Sequence, residues 1–295
     1  MTTSADVASG KTHTDENFPV ASHLIAARHR PAIMAFYHFV RAADDVADHA
    51  TLTPDQKIAL LDAMEASLLG RTDSEAVALP LRRVLAERRL SPKHAQDLLA
   101  AFRLDVVKSR TANWAELIHY CSLSAMPVGR FVLDVHGEGE TTWPASDAIC
   151  AALQIINHLQ DCGKDYRDLD RVYIPQDMLA AAGLRDDALA KPTASVALME
   201  CFRDLAVRTD ALLDEGEPLP RMIGDFRLSM EIASIAALAR RLTTILKTHD
   251  PLSQKVHLGK SAMLGVALAG CASVALKRWT GGSIKPTTRP GVQRS

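Results

Sequence analysis

Cysteine is sparse in this chain, aromatics are few, and positive and negative charge nearly cancel. Each shortage closes a class of protein. The five cysteines (Cys121, Cys150, Cys162, Cys201 and Cys271) are odd in number and form no C-x-x-C pair. That pattern argues against a disulfide framework or a thiolate zinc centre, and it fits a reducing cytosol. A formal net charge of −1 supplies no concentrated basic face, so nucleic acid is not an expected partner. Met1–His13 is polar and lacks the apolar core of a secretory leader. No run alternates apolar with polar residues as a half-buried strand does. Nor does any G-x-G-x-x-G follow a strand. The nearest glycine word, His136-Gly-Glu-Gly-Glu140, reads as a helix end.

What is present is helix. The 295 residues are 47% apolar and 23% charged, enough to bury a sizeable core. Pro31 suits the first turn of a helix over Ala32–Asp48. Thr53-Pro-Asp-Gln56 starts a second, which Gly70 stops. Ser91-Pro92 opens one carrying Asp105 and Lys108. Asn113-Trp-Ala-Glu116 opens a long one toward His136, and Trp143-Pro144 starts the next. Later helices are predicted over Thr193–Asp214, Arg221–Lys247 and Lys255–Trp279. No linker divides the chain, so the expectation is one all-α domain over residues 15–279 with disordered ends at 1–14 and 280–295.

Two acidic words stand out. Asp44-Asp-Val-Ala-Asp48 and Asp161-Cys-Gly-Lys-Asp165 each place two carboxylates at i and i+4, which stacks them on one helix face. Like charges there repel, and paired hard oxygen ligands on two helices suggest Mg²⁺ shared with phosphate. The competing reading is a solvated face with ordinary surface acids. The second word extends into a stripe, Gln154, Asn157, Asp161 and Asp165, along a helix otherwise carrying Ile155, Ile156 and Leu159. A polar stripe entering a core is costly unless water, metal or ligand satisfies it.

Cations and tyrosines accompany the acids: Tyr37 and Arg41 precede the first word, Lys108 and Arg110 follow Asp105, and Arg171 and Tyr173 follow the second word. Each could be a plain ion pair. Together they suggest a diphosphate clamp that improves the leaving group and leaves a carbocation in an apolar helical cavity.

At this point the chain resembles the squalene/phytoene synthase family. The residues that carry the resemblance are Arg41-Ala-Ala-Asp-Asp-Val-Ala-Asp48 and Gln154-Ile-Ile-Asn-His-Leu-Gln-Asp-Cys-Gly-Lys-Asp165. Asn17-Phe-Pro-Val-Ala-Ser22, Ala101-Phe-Arg-Leu-Asp-Val-Val-Lys108 and Tyr120-Cys-Ser-Leu-Ser-Ala-Met-Pro-Val-Gly-Arg130 resemble its bacterial hydroxysqualene synthase subgroup. Met126 departs from the asparagine more usual there. The resemblance implies an all-α isoprenoid synthase bundle around a central cavity.

It also implies roles. Asp44, Asp48, Asp161 and Asp165, supported by Asn157, would hold Mg²⁺. Arg41, Lys108, Gln154, Arg171 and Tyr173 would contact the diphosphate end. Tyr37 and Tyr120 would be catalytic cavity tyrosines, with Phe18 and Gly129 as further substrate contacts. The implied reaction is ionisation of presqualene diphosphate, rearrangement and water capture, with no NADPH. Rivals are a condensing prenyl synthase, a non-catalytic helical partner subunit and a helical binding protein with surface acids. Ser261–Leu276 is uncharged but short for a membrane span. It is expected to be a core or cavity-wall helix, with peripheral membrane contact as the competitor. The lipid chemistry makes the inner membrane face and neighbouring squalene-pathway enzymes plausible partners of a cytoplasmic protein.

Overall fold

The computed structural model describes residues 3–7 and 25–281. Phe18 and the Asn17–Ser22 word lie outside the described residues, as do most of the two ends expected to be disordered. Among the described residues there are twelve α-helices: α1 (Arg30–Asp48), α2 (Pro54–Leu68), α3 (Ala78–Arg88), α4 (Lys93–Val107), α5 (Trp114–Ser124), α6 (Met126–His136), α7 (Trp143–Leu169), α8 (Gln176–Ala181), α9 (Val196–Gly216), α10 (Leu219–Met222), α11 (Phe226–Leu246) and α12 (Lys260–Gly281). The only extended pairing among them is an isolated parallel bridge between Arg110 and Val172. The expected helical class is what the chain adopts.

Local chemistry sets most boundaries. Thr53 caps α2 by accepting from the Gln56 backbone N–H while the Gln56 side chain returns to the Thr53 N–H, the reciprocal capping box. Asn113 and Ser195 cap α5 and α9 from one side, each accepting a backbone N–H of the first turn. The long helix expected from Asn113 to His136 is broken instead. Ala125 leaves helical geometry at φ −125° and ψ −47°. Pro127 fits the break: it has no N–H to continue the ladder of α5, and it stands in the first turn of α6, where that N–H is not needed. The helix predicted from Arg221 is likewise interrupted. It becomes the short α10, then Gly224, then Asp225 capping the backbone N–H groups of Arg227 and Leu228 at the start of α11. Lys108 is not inside α4 but is its extended C-cap.

The chain divides into two compact units. The first comprises residues 1–108 and 130–137, the second 109–129 and 138–295. In the first, α1 to α4 pack around Phe36, Phe39, Leu61, Met64, Leu98 and Leu99, and Phe131 of α6 stacks on Phe36 with ring centroids 4.0 Å apart. In the second, α7 packs against α5, α9 and α11, and α11 packs against α9, α10 and α12. Ile155, Ile156 and Leu159 of α7 are each 1% exposed or less. Burial at that level stabilises by roughly 2–3 kcal/mol per side chain.

The expectation of a core helix near the C-terminus is overturned. No residue of α12 from Lys260 to Thr280 is buried. Its small residues serve one face only. A Cβ on Gly270 would lie 2.7 Å from the Ala237 Cβ and 2.8 Å from the Ala233 carbonyl oxygen. Close packing on α11 uses that face, and the large apolar side chains project from the other.

Candidate active site

In the first unit, the α1 word is a crowded set of acids around one guanidinium. Helical spacing brings Arg41 over Asp44 and Asp45. Its Nη1 donates to the Asp44 Oδ2 at 2.8 Å and its Nη2 to the Asp45 Oδ1 at 2.6 Å. Asp45 is buried, and Asp44 and Asp48 are half-buried, as is Tyr37 one turn before Arg41. Enclosure pushes the Asp44 carboxyl up to about 7. The neighbouring charges of Asp48, Asp105 and Asp45 push the same way, while Arg41 opposes them. Asp44 is thus a carboxyl held toward its protonated form. Such a group favours a proton at low pH and a cation when one is offered. Lys108 is exposed just beyond α4.

In the second unit, α7 carries the stripe as predicted. Gln154, Asn157, Asp161 and Asp165 are all half-buried, while Ile155, Ile156, Leu159 and Cys162 beside them are buried. A 3-4-4 spacing keeps the polar atoms on one line and the apolar ones on the packed flank. The helix ends in a way that returns the chain toward the stripe's last acid. Asp170 takes a left-handed φ of 49°, and both Asp170 and Arg171 donate their backbone N–H to the Asp165 carbonyl. The chain then runs through buried Arg171 to Tyr173.

Tyr173 is the centre of a cluster that sequence spacing only half revealed. Its hydroxyl lies 3.2 Å from that of Tyr120 on α5 and 3.5 Å from the Arg171 Nη1. Its ring stacks on His158, centroids 3.6 Å apart. Tyr120, Arg171 and Tyr173 were expected at the site. The sequence pattern assigned His158 no role. The available signal was a histidine on the flank of α7 that otherwise carries isoleucine and leucine. It is 8% exposed, and its Nε2 has no hydrogen-bond partner. Burial, reinforced by the Arg171 charge, pushes its pKa down to about 3, so the imidazole stays neutral.

Two other predicted positions have plain structural surroundings. A Cβ on Gly129 would lie 2.6 Å from both the Cys150 Sγ and the Ser146 Oγ of α7, so glycine there permits close approach of the two backbones. Arg110 pairs with Asp170 at 2.6 Å and Asp186 at 2.5 Å, tying the segment after α7 in place. The thiols of Cys121 and Cys162 are pushed up to about 12 by burial and are poor nucleophiles.

Comparison with known proteins follows the same lines. The squalene/phytoene synthase family model matches residues 11–262. A hydroxysqualene synthase of Rhodopseudomonas palustris is 55% identical over 278 residues, covering 94% of this chain and 95% of that one. One of Sinorhizobium fredii is 50% identical over the same shares. Among solved structures, the squalene synthase HpnC of Alicyclobacillus acidocaldarius superposes with a TM-score of 0.65 at 26% identity, over 90% of this chain and 89% of the other.

Proposed function

The chain belongs to the squalene/phytoene synthase family, and from that premise we propose that it is a hydroxysqualene synthase. The substrate on this reading is presqualene diphosphate. Departure of diphosphate breaks a carbon–oxygen bond and leaves a cyclopropylcarbinyl cation, which rearranges. A water oxygen then bonds to the rearranged carbon and gives up one proton, so the products are hydroxysqualene, diphosphate and a proton. The observation that carries this reading is the likeness to hydroxysqualene synthases along more than nine-tenths of the chain.

The acids divide the work with the cations. Asp44, Asp48, Asn157, Asp161 and Asp165 would hold Mg²⁺, and the donor set suits it: hard oxygens, among them an Asp44 carboxyl whose ionisation a neighbouring cation would favour. The bound ion would neutralise diphosphate charge and so improve the leaving group. Arg41, Lys108, Arg171 and Tyr173 donate to the remaining phosphate oxygens, and Gln154 adds a polar contact. Tyr37 and Tyr120 offer ring faces that attract a cation, with Phe18 and Gly129 as further substrate contacts. His158, held neutral, adds no positive charge to repel the carbocation. Termination by water consumes no reductant, so NADPH is not required.

Incubating the purified protein with presqualene diphosphate and Mg²⁺, without NADPH, tests the proposal. Hydroxysqualene is the expected product by mass spectrometry, and its absence sinks the reading. Turnover of farnesyl or geranylgeranyl diphosphate alone would instead mark a condensing enzyme. On this reading the enzyme works from the cytoplasm at the inner membrane face, where a lipid substrate and product and the enzymes before and after it would be within reach.

A further inference from the structure

α12 is apolar where a soluble helix is normally polar. Leu264, Leu268, Leu276 and Trp279 are exposed by 61%, 60%, 57% and 86%. With Ala272 and Ala275 they follow spacings of three and four residues and so form one stripe along the helix. The opposite face is used. Gly270 packs on α11, Ser234 and Cys271 meet across the same contact at 3.1 Å, and Arg278 Nη1 donates to the Pro220 and Ile223 carbonyls at 3.1 and 3.0 Å. Lys277 pairs with Glu217 at 2.6 Å. From Lys260 to Thr280 the helix is long and apolar enough to cross a membrane. Crossing would break every one of these contacts, whereas lying flat keeps them.

Charge says what the stripe meets. From Pro251 to Ser295 the sequence carries seven lysines and arginines and no aspartate or glutamate. The whole chain has 34 basic and 35 acidic residues, so residues 1–250 carry 27 against 35, a charge of −8 beside +7. Among the described cations of this segment, Lys255 and Lys260 are exposed. A second copy docking stripe to stripe about a two-fold axis would bring two such basic segments together, which disfavours it. An anionic surface with an apolar interior satisfies both features.

We propose that α12 docks flat on an anionic phospholipid bilayer, with the Leu264–Leu268–Leu276 stripe toward the acyl chains and Trp279 at the headgroup level. This deepens the proposed function by naming the surface on which a lipid substrate and product would be exchanged.

Vesicle flotation of the full chain tests it without any turnover, so its failure and failure of the proposed catalysis are separate results. The protein floats with phosphatidylglycerol–phosphatidylcholine vesicles and much less with phosphatidylcholine alone, and high salt weakens it. Leu264→Ser, Leu268→Ser and Trp279→Ser combined lower the partition about tenfold or more with the melting curve retained. In a second measurement, brominated lipid quenches tryptophan emission in the native chain, and Trp279→Phe removes that quenching. Equal flotation of native and triple-variant protein overturns the proposal, as does quenching unchanged by Trp279→Phe. A dimer that the triple variant dissolves, with no vesicle binding, also overturns it and assigns the face to a second copy.

Discussion

The two acidic words share a spacing and differ in what surrounds them. On α1 the acids crowd one another around Arg41, and Asp44 is pushed toward the neutral form. On α7 they are strung along one helix, beside a cluster of Tyr120, Tyr173, Arg171 and a neutral His158. The first arrangement holds Asp44 toward its protonated form. The second has aromatic rings beside it. The same i, i+4 geometry therefore meets two surroundings, and the titrating groups in them respond to pH in opposite directions. The folded state prefers Asp44 protonated, so its penalty is absent below about 4 and complete once pH passes about 7. It prefers His158 neutral, so the stability this contributes is full above the ordinary histidine value of 6.5 and is lost as pH falls toward 3.

The largest expected effect comes from cutting either word. On the proposed function, Asp44→Asn and Asp161→Asn should each lower kcat on presqualene diphosphate by ~10²–10³-fold, because each would remove a carboxylate that holds the Mg²⁺ neutralising the leaving group. If only one of them mattered, the parity between the words would be broken.

Smaller effects sharpen the contrast. Gly129→Ala should destabilise by about 1–3 kcal/mol through a clash with Ser146 and Cys150 of α7, seen as a lower melting temperature. His158→Phe preserves stacking and removes the group that resists acid. It should be close to neutral at pH 8 and gain about 2 kcal/mol over the native chain at pH 5, measured by urea unfolding at the two pH values. Asp44→Asn should show the reverse slope. It gains about 1–2 kcal/mol at pH 8, a figure reduced for the partial exposure of the side chain, and less than half of that at pH 5. Adding Mg²⁺ and diphosphate should stabilise the native protein and not this variant. Parallel slopes for the two variants would refute the contrast.

Much of this was legible in the residues. Thr53 with Gln56, Asn113, and the Trp143-Pro144 start placed helices because capping is local chemistry. The stripe on α7 was legible because a 3-4-4 spacing has only one helical reading. What escaped depended on contacts between distant residues. Pro127 is visible in the sequence, and the expected helix from Asn113 to His136 runs straight through it. The burial of His158 depends on Tyr173, fifteen residues on, folding back over it. The exposure of α12 was illegible because an apolar, alanine- and glycine-rich helix reads alike whether it is covered on both faces or on one. Asp45 had no role of its own in the first acidic word, and only the structure makes it the buried partner of Arg41.

The most direct test of the account is the reaction of presqualene diphosphate with the Mg²⁺-loaded protein in ¹⁸O-labelled water, without NADPH. Hydroxysqualene carrying the label is expected, with one diphosphate released per molecule formed and a rate ~10²–10³-fold lower from Asp44→Asn or Asp161→Asn. An alcohol without the label, or a hydrocarbon as the sole product, would contradict it.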